Sequence, residues 1–172
     1  MGEKMRKTLN VFFGVVFLLL VFTSQGLTQR HHLTFTGAHF SGDSLDNFFR
    51  TGDGIANISS GEAWFDAPVN FPDSANGMQV TRLSCTILDN SITGFLQVQL
   101  YKVDRWSGLP VDVSYLSTNA PFAANSVIYM NIPKNQMKAR GIDNNRWAWY
   151  LTAYFSEGKT ALGVSHVTIR YE

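Results

Sequence analysis

Cysteine is nearly missing from the sequence. Cys85 is the only one, so no disulfide can close within the chain. Charge is sparse as well: Asp, Glu, Lys and Arg make up 16% of the residues, fewer than long solvent-facing helices would need. No run of basic residues occurs, which removes the electrostatic basis for holding a polyphosphate, and nucleic acid is excluded as a partner. Also missing are a Gly-x-Ser-x-Gly nucleophile elbow, a twelve-residue Ca²⁺ loop, and Cys and His at metal-ligand spacing. The expectation is a protein with no catalytic residue, no cofactor and no metal.

What is present begins with a leader. Lys4, Arg6 and Lys7 precede an uncharged apolar run over residues 9–22 (LNVFFGVVFLLLVF), and a polar stretch follows. A basic start, a short apolar run and small residues at the exit define a secretory signal. The run is shorter than the roughly 20 apolar residues that cross a bilayer core. Ser24 and Gly26 place small side chains at the −3 and −1 positions, so the pattern predicts a signal-peptide helix over 1–26, cleaved between Gly26 and Leu27. No cysteine lies just after the apolar run to take a lipid, since Cys85 is far downstream. The membrane is then met only in transit, and the mature chain is secreted or periplasmic.

The leader removes three of the 14 basic residues and one of the 13 acids, leaving a nearly neutral remainder the size of one domain. Aromatics are plentiful at 13%, and Ser, Thr, Asn and Gly are frequent, a mixture suited to strands and tight turns. Alternation of apolar and polar residues marks strands over 33–40, 62–71, 78–88, 95–103, 111–117, 126–132, 147–155 and 162–171. Residues 41–61 are dense in Gly, Asp, Asn and Ser and read as loops around Phe48-Phe49. Pro68 cannot donate to a ladder, which puts its segment at an edge or a bulge. About eight strands with no amphipathic helix between them predict an all-β fold: a single antiparallel β-sandwich or jelly roll over 33–172, preceded by a flexible stretch over 27–32.

Several segments carry a resemblance: TGAHF at 36–40, FDAPVNFPD at 65–73, VTRLSCTILDNS at 80–91, LQVQLYKVD at 96–104, IDNNRWAWYLTAYF at 142–155 and LGVSHVTIRY at 162–171. In order and spacing the chain resembles a group of exported bacterial β-sandwich (jelly-roll-like) modules with no assigned activity. The resemblance implies a secreted all-β module and supplies no catalytic residues.

Trp147 and Trp149 alternate in phase with Leu151 and Phe155 and read as core, whereas Tyr150 and Tyr154 fall on the opposite face. Trp106 lies in a turn, DRWSGLP. Trp106, Tyr150 and Tyr154 are therefore the candidate ligand-binding residues, because aromatic faces match the C–H faces of sugars. Trp64 fits either environment. Cys85 alternates with polar neighbours and reads as a core thiol. Asp43, Asp46, Asp53, Asp89, Asn90, Asp143 and Asn144 read as turn residues rather than Ca²⁺ ligands. His31 and His32 are assigned to the flexible N-terminus; His39 and His166 stand alone. Glu62 and Asp66 share one strand face and so do not oppose each other as a hydrolytic pair would. Asn57-Ile58-Ser59 is a glycosylation sequon, relevant only in a eukaryotic host.

The leading expectation is a secreted, non-catalytic β-sandwich that works by binding or self-association at or outside the cell envelope, with a glycan, a protein or a second copy as partner. The alternatives are a carbohydrate-binding module using exposed aromatics and a hydrolase with an unrecognised site.

Overall fold

A computed structural model describes residues 29–42, 48–51, 54–57, 61–89, 91, 93–118, 126–157 and 162–172. The expected signal segment, with Gly26 and Leu27, lies outside the described residues, as do Asp43, Asp46, Asp53, Asn90, Ile58 and Ser59. Eleven strands are described: β1 (His31–Thr36), β2 (Ser41–Gly42), β3 (Phe48–Thr51), β4 (Gly54–Asn57), β5 (Ala63–Val69), β6 (Val80–Asp89), β7 (Leu96–Asp104), β8 (Pro110–Ser117), β9 (Ser126–Pro133), β10 (Trp147–Phe155) and β11 (Leu162–Tyr171). The helical content of the described residues is three single-turn 3-10 segments, at Gly37–His39, Asp73–Ala75 and Lys134–Gln136.

The strands form two antiparallel sheets. One runs β3-β4-β11-β6-β9, with β1 also on β11; the other runs β2-β5-β10-β7-β8. The chain passes from sheet to sheet at every connection between successive strands except β3 to β4 and β7 to β8. Such crossings make a jelly-roll-like β-sandwich, as the alternation predicts. The apolar faces meet in one core, where Leu83, Ile87, Leu96, Leu100, Leu151 and Ile169 are fully buried. Phe71 ties the layers together: its ring stands edge-on to Trp149 of β10 at 5.3 Å and to Tyr171 of β11 at 5.2 Å. Edge-to-face pairs of this kind add about 0.5–1.5 kcal/mol beyond burial.

Two expectations change. Residues 41–61 are not loops alone, because β2, β3 and β4 lie there. These are strands of two to four residues whose pairing comes from other segments: β4 uses the edge of β11, and β2 uses β5. His31 and His32 do not belong to a flexible stretch; they open β1, opposite Tyr171 and Arg170, and the His31 ring stacks on Tyr171 at 5.2 Å. The exposed ladder groups of β11 supply the pairing that orders them.

β1 and β4 share one edge of β11, end to end. The junction leaves no room for side chains. A Cβ on Gly37 would collide with the Gly54 carbonyl, and one on Gly54 would lie 2.6 Å from the Val164 oxygen. Pro68 fits its place: it faces Tyr150 of β10, while β2 covers only Phe65 and Asp66 on the other side of β5.

The turn chemistry follows the carboxylates and amides. Asp89 accepts from the Ser91 amide at 3.0 Å, and Asp143 from those of Asn145 and Arg146 at 3.1 and 3.3 Å. Asn144 donates to the Phe71 carbonyl at 3.0 Å. His39 Nδ1 accepts from the Thr36 amide at 3.0 Å, and His166 Nδ1 is bonded to the Ser165 hydroxyl at 2.7 Å. Among the described residues no group of His, Cys, Asp or Glu is arranged to hold a metal ion. Cys85 is buried, and burial pushes its thiol up to about 12, which leaves it neutral and unreactive.

Candidate functional site

The outer face of the five-stranded sheet gathers the exposed rings. Alternation along β10 sends Tyr150, Thr152 and Tyr154 outward while Trp149, Leu151, Ala153 and Phe155 point to the core. The register then decides what stands beside each. Tyr150 lies between Pro68 on β5 and Tyr101 on β7; Thr152 between Asp66 and Gln99; Tyr154 between Trp64 and Gln97.

Two aromatic blocks result, one at each end of this stretch. At one end Trp64 lies against Tyr154 with centroids 4.2 Å apart, and Phe95 closes on Tyr154 at 5.6 Å. At the other end Tyr101 and Tyr150 stack at 5.5 Å. The blocks are four residues apart on β10, or about 13 Å at the usual strand rise. Polar groups fill the interval. Thr152 Oγ1 donates to Asp66 Oδ1 at 2.5 Å, and Gln99 Nε2 donates to Asp112 Oδ1 at 2.6 Å.

The edge strand β8 adds Asp112 and Tyr115 to this face. A bulge makes that possible: Leu100 pairs with Ser114 but Tyr101 pairs with Asp112, so Val113 and Ser114 both turn inward. Tyr115 is 60% exposed and Trp64 45%. Bulges commonly re-aim side chains in this way.

The face is mildly acidic. Burial raises the Tyr101 hydroxyl above its ordinary pKa; a hydrogen bond with Thr152 works the other way, and the charge of Asp66 adds to the rise. Burial and the neighbouring Glu62 raise Tyr154 too. Both phenols stay protonated at neutral pH and keep an O–H to donate.

Trp106 stands apart from these rings. It sits 87% exposed in the β7–β8 turn, beyond the end of the sheet where Tyr150 lies. The turn is firmly held. Asp104 Oδ1 accepts from the Trp106 amide at 2.9 Å and the Ser107 amide at 3.1 Å, its Oδ2 takes the Arg146 Nε at 3.0 Å, and Gly108 supplies the positive φ of 71°. The Ser107 amide, the Arg146 guanidinium and the Trp106 amide together hold the Asp104 carboxyl down to about 2.

Near that end, Trp147 and Trp149 sit where the alternation puts them, toward the core. Trp149 is buried and Trp147 partly so. Between them lies Lys102, whose Nζ is 4.4 Å from the Trp147 ring, 4.9 Å from the Trp149 ring and 3.2 Å from the Gly141 carbonyl. Burial lowers its pKa, with Arg146 adding to the effect. A pocket of about 400 Å³ opens here, lined by Arg105, Asn144, Asn145, Trp147 and Tyr150 among others, so Tyr150 belongs both to the face and to the pocket at its end.

The structure thus brings Tyr150 and Tyr154 onto one surface and leaves Trp106 at its margin. Trp64, Tyr101 and Tyr115 join them, and alternation in β7 (Gln97, Gln99, Tyr101 against Leu96, Val98, Leu100) already sets Tyr101 on that face.

No family model matches the chain, and no curated protein matches it. Among solved structures it is similar to a xylan-binding module, CBM15, with a TM-score of 0.51 at 9% identity over 83% of this chain and 97% of that one. The C-terminal CBM6 of LamC from Zobellia galactanivorans gives 0.47 at 12% identity, over 81% and 98% of the two chains. A mannan-recognising module, TmCBM27, gives 0.47 at 6% identity, over 84% and 99%. The likeness to CBM15 is one of fold, the β-sandwich already described.

Proposed function

We propose that this protein is an exported, non-catalytic carbohydrate-binding module whose ligand is a neutral glycan strand laid across the outer face of the five-stranded sheet. The observation that carries the reading is the layout of that face: the Trp64–Tyr154 and Tyr101–Tyr150 blocks, with Asp66, Thr152, Gln99 and Asp112 between them. Aromatic faces stack on sugar C–H faces, and the amides, hydroxyls and carboxylates answer the sugar hydroxyls. Trp106, on its fixed turn, extends the same surface toward a longer ligand. The fold shared with a xylan-binding module supports the reading by analogy only.

Hydrolysis fits less well. Of the carboxylates at this face, Glu62, beside Tyr154, lies four residues from Asp66 along one strand line, and Asp66 and Asp112 stand on β5 and β8, three strand spacings apart. That last separation is about 14 Å, beyond the roughly 5–9.5 Å that glycosidase pairs span. Asp66 and Asp112 are also engaged, by Thr152 and by Gln99. Self-association through a sheet edge has no comparable arrangement of side chains behind it.

The test is calorimetric titration of the mature protein with soluble xylan, mannan and mixed-linkage glucan, alongside Tyr150→Ala and Tyr154→Ala. Saturable binding to at least one polymer, weakened about tenfold or more by either substitution, is expected; tenfold corresponds to about 1.4 kcal/mol. No binding to any neutral polymer, or binding indifferent to both substitutions, overturns the reading. Export is tested separately: N-terminal sequencing of the secreted protein should begin at Leu27.

A further inference from the structure

The outer face of the six-stranded sheet has the opposite chemistry. Arg82 on β6 and Arg170 on β11 are direct cross-strand partners, and His32 of β1 stands beside Arg170 in the same row. Like charges placed opposite each other, with Cβ atoms about 5 Å apart, oppose the pairing of their strands. The next row is Thr168 and Ser84, and the one after it holds His166 and Thr86. No acid occurs in these rows. Glu172 stands at their margin, its Oε2 3.9 Å from Arg170 Nη2 and 3.9 Å from Arg30 Nε.

Neither arginine is fully engaged. Arg82 is exposed and makes no ion pair among the described residues. Arg170 is largely covered, and its buried Nε has no hydrogen-bond partner. An unpaired buried donor of this kind is costly. A depression of about 180 Å³ lies over the pair, lined also by His32, His166, Ser84 and Thr168. Val164 pairs with Ile87 and His166 with Thr86, so Ser165 is the extra residue; this bulge lets Val164 turn inward while His166, Thr168 and Arg170 alternate along the outer face.

We propose that this depression is a second binding site, on the sheet opposite the aromatic face, and that it takes the carboxylate or sulfate group of an acidic polysaccharide between Arg82 and Arg170. An oxyanion there accepts from the accessible guanidinium N–H groups and offsets their repulsion. The surrounding Ser and Thr hydroxyls suit the rest of a sugar, and the volume fits one anionic group rather than an apolar peptide side chain with its backbone. The site stands on its own residues and does not depend on the aromatic face binding anything.

Affinity electrophoresis of the mature protein through polygalacturonate, dextran sulfate and plain dextran tests it, at low and high salt. Retardation by a charged polymer, weakened by salt, is expected for the wild type and for Trp64→Ala. In Arg82→Gln the affinity should fall about tenfold or more, with the circular dichroism spectrum unchanged. Arg82→Lys should recover only part, because a lysine keeps the charge and loses the fork. Which polymer responds tells carboxylate from sulfate. Absence of retardation by both charged polymers, or equal retardation of Arg82→Gln and wild type, overturns the proposal.

Discussion

Trp64 and Tyr154 are register partners on β5 and β10, and their rings lie 4.2 Å apart at a tilt of 34°. Trp64 lies at one end of the aromatic face and Trp106 beyond the other, which makes a graded prediction possible. On the proposed reading, Trp64→Ala should weaken binding of a neutral glycan about tenfold or more. Trp106→Ala should weaken binding of long oligosaccharides and leave the shortest bound ones unaffected. Calorimetry with a length series of oligosaccharides separates the two.

The Asp104 carboxylate sets an acid limit on the turn that carries Trp106. Its folded pKa is held at about 2, below the ordinary value of about 3.9. A depressed pKa means that its stabilisation is complete above the unfolded value and is lost as pH falls from about 4 through about 2. The melting temperature should therefore decline across that window. Asp104→Asn should melt lower at neutral pH and decline less steeply on acidification, as thermal melts in a pH series would show.

Cys85 gives a probe of global opening. With its thiol buried and raised to about 12, it should resist a thiol reagent at mildly alkaline pH and react fully once the protein is unfolded. Timed labelling read by mass spectrometry checks this. Rapid labelling of the native protein would contradict the core placement.

At the β1–β4–β11 junction, Gly37 leaves no space for a methyl group beside the Gly54 carbonyl. Gly37→Ala should cost about 1–3 kcal/mol through forced displacement of the backbone. Gly61→Ala, where an added Cβ meets nothing within 4 Å, is the control. Urea unfolding of both variants gives the comparison.

Much of the sandwich can be read directly from alternation. β6, β7, β10 and β11 are nine or ten residues long and half-buried, and such strands reveal themselves locally. β3 and β4 do not, because four residues among Gly and Asn acquire strand character only by pairing. The candidate surface shows the same division. Tyr150 and Tyr154 follow from parity along β10. Tyr115 does not: strict alternation groups it with Val113, and the bulge between them reverses its side. The bulge at Ser165 acts in the same manner on Val164, which strict alternation groups with His166. Cross-strand register brings Trp64 to Tyr154 and Arg82 to Arg170, and no local pattern contains that information.

β11 is the strand on which β1, β4 and β6 all converge. During synthesis, then, the six-stranded sheet lacks its organising member until residues 162–171 have been made. β1 waits across well over a hundred residues for its partner, a large loop-closure cost that makes folding slow and late. The five-stranded sheet has no part of β11 in it, so all its strands are available before the six-stranded sheet can close.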